Sequence, residues 1–557
     1  MTNIRPSLLA VAIAAALPAA TTFAQQPPNA GQLLQQQRQQ VPTTPRNAPE
    51  LNLQAPATPV VAPGGARVTI SRISIGGATL FSEAELLAVL GAFAGKSYDL
   101  AGLRTLADRI DVVYRTAGYP FARAFVPKQS IADGLLRIEV VEGRYGRVQA
   151  VGDADLLDAT GNYLSPLQPG APIHAKPLER IALLLGDLPG ISAIPGIYPG
   201  SEPGQGNVDM RVTRSQAFTG DIGLDNHGSR FTGEHRVSAN GQWNSPFTLG
   251  DQLVGSMTYS EGSMWLGSLG YSLPLGSSGL RGNVGYAQTH YQLAKDFANL
   301  KATGTAKVSI LALTYPIIRS QRTNLKVAAT YQHKRLNDKQ QLAGTDDSKS
   351  SDSLPIALNF DHRDGLWGGG ISYGTVSYTA GRLKLGSVLE NTDLTSGQNT
   401  RGSFDKWNFD IARIQSTLLS NLNLFGRVTS QKAGKNMDSS EGFSLGGSNG
   451  VRAYPTGEGV GDEGWLLQLE VRYTMGQYSP YIFHDSGRVT LNANNGNLTT
   501  PANPNHRSIG GEGLGLRYNE GNWNLDANLS WRSHGGQPLS DRVDRNPRVW
   551  ISAGYKF

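Results

Sequence analysis

The sequence predicts an all-β transmembrane barrel of about 16 antiparallel strands, preceded by two small α/β modules and an N-terminal helix. Three observations carry that prediction. The chain has 557 residues, 67 of them Gly and none Cys, and only 17% are charged, against about 25% in average usage. Past the first two dozen residues no apolar run approaches the ~18 residues of a spanning helix, so crossing a membrane by helices is excluded. From Gln216 to the end, segments of about ten residues alternate apolar and polar between Gly, Asn, Asp and Ser turns, as a closed barrel with lipid outside and water inside requires. The net charge of +6 comes from dispersed Lys and Arg, so no nucleic-acid partner is expected.

The elements follow in chain order. Arg5, the apolar run Leu8 to Leu17 and the small-x-small site Thr22-Phe23-Ala24 read as a signal peptide over residues 1–24, with cleavage after Ala24 and export of the mature chain. Residues 25–40 contain GQLLQQQRQQ from Gly31, helix formers without Pro. Composition alone fits either a short helix or a Gln-rich tail, and an isolated helix this short is marginal in water, so it needs somewhere to dock. Residues 41–66 are a Pro-rich extended linker.

Residues 67–143 form the first module. Val68 to Ile75 alternates as one half-buried strand, and Ser82 with Glu85 makes a capping box before the stripe Leu86, Leu87, Val89, Leu90, Phe93. A second helix starts near Asp99, and two alternating runs follow, Phe121 to Val126 and Leu135 to Glu142, in the order β-α-α-β-β. The second module, residues 144–215, has a strand at Val148 to Val151, a helix with Pro177 at its first position, and an extended pair Ile191 to Tyr198 and Asn207 to Thr213. Neither module holds a nucleophile, base and orienting group together, so they read as docking platforms and the chain is not expected to be an enzyme.

Residues 216–557, at roughly 20 residues per strand plus connection, accommodate about sixteen strands. Leu467, Leu469, Val471 and Tyr473 share one face of a strand, with Gln468, Glu470, Arg472 and Thr474 on the other. Val549, Ile551, Ala553, Tyr555 and Phe557 share one parity and the chain ends on that Phe; such an ending resembles the signal by which outer-membrane barrels are recognised for assembly, here Tyr555 and Phe557.

Other features resolve without chemistry. In His484-Asp485-Ser486 adjacent strand residues point to opposite faces and cannot form a relay. Gly510 to Gly515 reads as a strand packed closely beside a plug, not as a phosphate loop. The nine His lack metal-ligand spacing, and no cofactor or metal is expected. Asp346 to Ser353 (DDSKSSDS) reads as a solvated loop or turn.

Two segments are the most specific: FSLGGSNGVRAYP from Phe443 to Pro455, and FHDSG from Phe483 to Gly487. On these the chain resembles the Omp85 superfamily, and within it the two-partner secretion transporters (TpsB type), the haemolysin secretion/activation proteins. The resemblance spans signal, helix, linker, two polypeptide-transport-associated (POTRA) modules and barrel. It implies that residues 443–460 are a long extracellular loop folded back into the lumen, with the tip motif Val451, Arg452, Ala453, Tyr454, Pro455. It also implies a barrel-wall partner made of Phe483, Asp485 and Gly487, with Arg452 paired to Asp485. Independently of the family, a Gly-rich loop needs an anchor, and an Arg–carboxylate pair in a confined lumen is a strong one. The family has Gly where this chain has Ala453, which bears on how tightly the tip can turn.

The function so implied is an outer-membrane pore of a Gram-negative bacterium. Its POTRA modules in the periplasm would take up an unfolded partner, a large TpsA-type exoprotein of haemolysin or haemagglutinin kind, and the barrel would pass it outward without ATP. The further partners implied are outer-membrane lipid and, during biogenesis, the barrel assembly machinery. The alternatives are a membrane-protein insertase of the same superfamily and a passive porin, which would leave the POTRA modules without work.

Overall fold

The computed structural model describes residues 27–38, 44–45 and 62–557. The expected signal peptide, residues 1–24, and most of the expected Pro-rich linker lie outside the described residues. From Phe218–Asp225 to Arg548–Lys556, sixteen antiparallel strands close into one barrel. Closure rests on a short seam in which Asp221 to Asp225 pairs with Lys556 to Ser552, extended by Gly220 and Phe557, whose backbone N–H groups each donate to the other's carbonyl at 3.0 Å. The barrel expected from alternation is therefore present, and its period-2 logic is visible in burial. On Glu463–Tyr473, Trp465, Leu469, Val471 and Tyr473 face outward and are exposed, while Leu466, Gln468 and Glu470 face the lumen and are buried.

Because the two modules precede the first strand, the strand ends nearest them are periplasmic, and odd-numbered connections, beginning with 226–235, are extracellular. The central strands are the longest: Ala302–Arg319 and Thr323–Gln340 have 18 residues each and Thr345–Asp364 has 20. This corrects the reading of Asp346 to Ser353 as a loop, since the segment is strand throughout. Above the lipid belt the outer face meets water and the inner face meets polar groups of the inward loop, Lys349 donating to Asp438 at 2.7 Å, so apolar alternation vanishes while the backbone ladder continues.

The first module differs in detail from the expected order. Val68–Ile70 pairs with Lys96–Tyr98, whereas Arg72–Gly76 pairs in parallel with Leu135–Val141; the expected single strand breaks at Ser71, whose N–H donates to the Gly134 carbonyl. The capping box forms, and Asp99 caps Leu100–Thr116. The run expected from Phe121 to Val126 is strand only over Arg123–Phe125, on the edge of the sheet. Glu142 ties the module together, accepting from Thr79 and Leu80 N–H and from the Tyr114 hydroxyl at 2.6, 2.8 and 2.9 Å. Burial works to raise this carboxyl, but those hydrogen bonds outweigh it and hold it below the usual range.

In the second module the helix is Ala175–Gly186, capped by the His174 ring. Pro177 therefore sits at its third position rather than its first, still within the turn whose N–H groups have no intrahelical acceptor. A further helix, Leu157–Leu164, has too short a pattern to be visible in sequence. This module is seated on the periplasmic turns: Arg319 makes a two-pronged pair with Asp187 at 2.7 Å for each bond. Arg180 also donates to the Pro316 carbonyl at 2.7 Å.

Candidate functional site: a loop and a helix inside the barrel

The lumen holds two guests. The first is the connection between Leu422–Ala433 and Glu463–Tyr473, which folds inward. Phe443–Ser444 pairs with Val460–Gly461 at its neck. Beyond the neck the tip is a knot of short backbone bonds, with Val451 N–H donating to Leu445 at 2.7 Å and Tyr454 N–H to Val451 at 3.0 Å. Gly447 adopts φ +121°, a conformation that side chains disfavour.

The structure places Arg452 at this tip, buried to 4% exposure, against Asp485. Its Nε and Nη2 donate to the two Asp485 oxygens at 2.8 and 2.7 Å, and its backbone N–H adds a third bond at 3.1 Å. The guanidinium lies 3.5 Å over the Phe483 ring, and Nη1 donates to Glu470 at 2.6 Å. Its carbonyl accepts from Ser530 Oγ at 2.8 Å and Trp550 Nε1 at 2.7 Å. Together these bonds join the tip to four wall strands, and a buried charge this fully paired is held in place because releasing it alone would leave the partners unpaired.

The remaining motif residues supply fit. Val451, Ala453 and Tyr454 pack with Leu445, Leu466 and Ile509 in one apolar cluster, and Pro455 is buried beside them. The Tyr454 hydroxyl donates to the His534 and Gly536 carbonyls, 2.8 Å from each. Wall glycines make the room: a Cβ on Gly487 would stand 2.7 Å from Leu445 Cδ2, one on Gly513 2.5 Å from the Phe483 ring, and one on Gly511 would collide with the Ala453 methyl. The last contact answers the departure from the family's Gly, for Ala453 avoids the left-handed region and its methyl uses the space that Gly511 leaves. Tyr555 and Phe557 lie elsewhere, exposed on the outer face at the periplasmic end.

Sequence reasoning missed the hub beside Arg452. Glu470 also accepts from Arg472 Nε at 2.7 Å and Arg517 Nη2 at 3.1 Å, so three guanidiniums converge on one carboxylate. Its lumen-facing parity was readable; its meeting with Arg452 depends on the register that sets Gln468 opposite Asp485.

The second guest is the helix Ala30–Arg38. Its apolar side is small, Ala30 and Leu33 packing with Tyr291, Leu293, Ala302 and Leu336 near the extracellular strand ends. Ala30 N–H donates to Asp338 at 2.8 Å, and Ser439 of the inward loop donates to Asn29 at 2.9 Å. Further along, Arg363 donates to the Pro45 carbonyl at 3.0 Å on a strand near its periplasmic end. The helix thus sits in the outer half of the lumen and Pro45 near the periplasmic end of the wall.

A family model described as haemolysin secretion/activation protein ShlB/FhaC/HecB matches residues 204–518, and one described as POTRA domain, ShlB-type, matches residues 68–143. Among curated proteins the chain is similar to the heme/hemopexin transporter protein HuxB of Haemophilus influenzae, 26% identical over 414 residues and 72% of each chain. It is also similar to the outer membrane transporter CdiB of Dickeya dadantii, 26% identical over 430 residues, 76% of this chain and 75% of that one. Among solved structures, CdiB from Escherichia coli superposes with a TM-score of 0.70 over 92% of this chain and 94% of that one at 21% identity, which speaks to the fold.

Proposed function

The chain belongs to the haemolysin secretion/activation family, the outer-membrane transporters that secrete a partner exoprotein, and on that premise we propose how its parts divide the work. The POTRA pair takes an unfolded TpsA-type exoprotein from the periplasm by adding its strands to open sheet edges. Ile191–Pro199 in the second module is the edge that supports this, exposing Ile194 and Tyr198; on the edge strand Arg123–Phe125 of the first module the Ala124 N–H already donates to Asp111 at 2.6 Å, a bond an added strand would have to replace. The barrel then passes the chain outward along the lumen, where the Arg452 loop forms a fixed wall and the N-terminal helix gives way. The free energy comes from the partner folding outside, and no ATP is needed. Lipid covers the exposed apolar face of the barrel, and Tyr555 with Phe557 presents the terminal strand to the assembly machinery.

The observation that carries this reading is a helix in the lumen with few polar anchors among its described residues, on a chain that leads back to the modules that would receive the partner. Deleting residues 68–143 tests it. Export of the partner should be lost while the pore still conducts in a planar bilayer, because the barrel closes its own hydrogen bonds without the module. A deletion mutant that still secretes would remove the receptor role from the module.

A further inference from the structure

On the outer face of the barrel, above the apolar belt at the extracellular side, three cations stand in one row. Lys307 is directly opposite Arg335, Arg335 opposite Ser350, and Ser350 opposite Lys384. All four share the outward parity of exposed belt residues on their own strands, such as Leu311, Tyr331 and Leu354; the alternate parity, with Lys334, Leu336 and Ser351, is buried. The row above holds Thr305, Asn337 and Ser348, again in direct register. Together the two rows line a cavity of about 480 Å³.

Like charges directly opposite on neighbouring strands repel, and the protein does little to offset it. Among the described residues neither Lys307 nor Lys384 is within 4 Å of a carboxylate, Lys384 being attracted to Asp352 only at longer range, and Arg335 donates to His333 at 3.0 Å. The nearby carboxylates are engaged: Asp352 accepts from His333 and Tyr331 at 2.7 Å each, and Asp346 from Asn337 and Lys339 at 2.8 Å each. The cation row lies four residues above Leu311, about 13 Å along the strand and roughly 10 Å in height at the usual tilt. That is the depth of headgroups, just outside the hydrocarbon.

We propose that this row is a binding site for the phosphate of an anionic, phosphorylated glycolipid of the outer leaflet. The three cations take the phosphate, with Arg335 suited to a two-pronged grip; the hydroxyl and amide row above takes sugar hydroxyls, and the acyl chains lie on the belt below. The proposal rests on the placement of the barrel in the outer membrane, and not on the transport mechanism.

The test uses the full-length protein in detergent, titrated with lipid A and followed by native mass spectrometry. The wild type and a variant that removes three exposed POTRA cations (Lys96→Gln, Lys128→Gln, Arg211→Gln) should bind alike. The variant Lys307→Gln, Arg335→Gln, Lys384→Gln should bind at least tenfold more weakly, with its barrel shown to be folded by unchanged heat-modifiable mobility. Independently of any variant, dephosphorylated lipid A should bind the wild type at least tenfold more weakly, and millimolar inorganic phosphate should not displace lipid A. Equal binding by the barrel triple variant, indifference to dephosphorylation, or displacement by phosphate alone would each overturn the proposal. A wild type that binds no lipid A yet still secretes its partner would sink this site and leave the transport reading standing.

Discussion

The two guests of the lumen are held in opposite ways. The inward loop is clamped: Arg452 is wired through side chain and backbone to four wall strands, through Glu470, Asp485, Ser530 and Trp550. The loop is clamped again upstream, where buried Glu441 pairs with Lys334 and with Lys406. Among the described residues the helix is seated: one backbone bond to Asp338, one hydroxyl bond from Ser439 to Asn29, the Gln35 amide on the Ser440 carbonyl, and a small apolar patch. Charge-assisted bonds in a confined space resist release; among the described residues the helix has one of these, on the Asp338 carboxylate, and its other bonds and few methyl groups contribute about 1 kcal/mol each. The contrast teaches which guest must stay and which can leave. It also exposes a link, because residues 438–441 touch the helix on one side and the wall on the other.

The largest effect tests the clamp. Arg452→Ala leaves Asp485 and Glu470 buried without their shared partner, which costs about 3–5 kcal/mol, more than a hundredfold in the anchored population. Secretion of the partner should collapse in that variant and in Asp485→Ala, and the double variant should be no worse than either. Additive losses in an export assay would mean that the pair does not act as one unit, and the clamp would be ordinary packing.

The next effect tests the seat. Deleting Pro27 to Gln40 should raise single-channel conductance in a planar bilayer while the barrel stays folded. Unchanged conductance would show that the helix does not occupy the path. A smaller perturbation is Gly31→Val: a Cβ there would stand 2.7 Å from Ser440 N, so the helix must lift off the loop and openings should become more frequent without full-time conduction. If Gly31→Val instead reduces secretion as severely as Arg452→Ala, the helix is as much a part of the wall as the loop is, and the comparison fails.

How much of this was legible beforehand follows the same division. The barrel and the Arg452–Asp485 proximity could be read because alternation and a motif resemblance are local patterns, each carried by a few consecutive residues. The seat of the helix could not: GQLLQQQRQQ fits a tail as well as a helix, and what decides it is Leu336 and Tyr291, some 250 to 300 positions away in the sequence. Glu470 was legible as a lumen-facing charge but not as a hub, because register between strands is absent from single-strand periodicity. Asp346 to Ser353 misled for a related reason, since polarity on both faces looks like a loop when the partner strands are unseen.

The smallest effect is the sharpest probe of seating. Asn29 Oδ1 accepts from Gln32 N–H at 3.0 Å while Gln32 Oε1 accepts from Asn29 N–H at 3.2 Å, a reciprocal cap on the helix, and the same Oδ1 also accepts from Ser439. Removing a cap costs about 1 kcal/mol, and the lost Ser439 bond about as much again. Asn29→Ala should thus raise the fraction of time the pore is open by roughly five- to thirtyfold from its resting value, on the 1.4 kcal/mol per decade scale. Asn29→Asp keeps a side-chain oxygen to accept from both Gln32 N–H and Ser439 and places an anion at the helix N-terminus, where the dipole favours it, so it should keep the resting conductance of the wild type. A clamped helix would hardly respond to either change, because one cap is small against several charge-assisted bonds. Single-channel recordings in which Asn29→Ala and wild type are indistinguishable would therefore move the helix from the seated class to the clamped one.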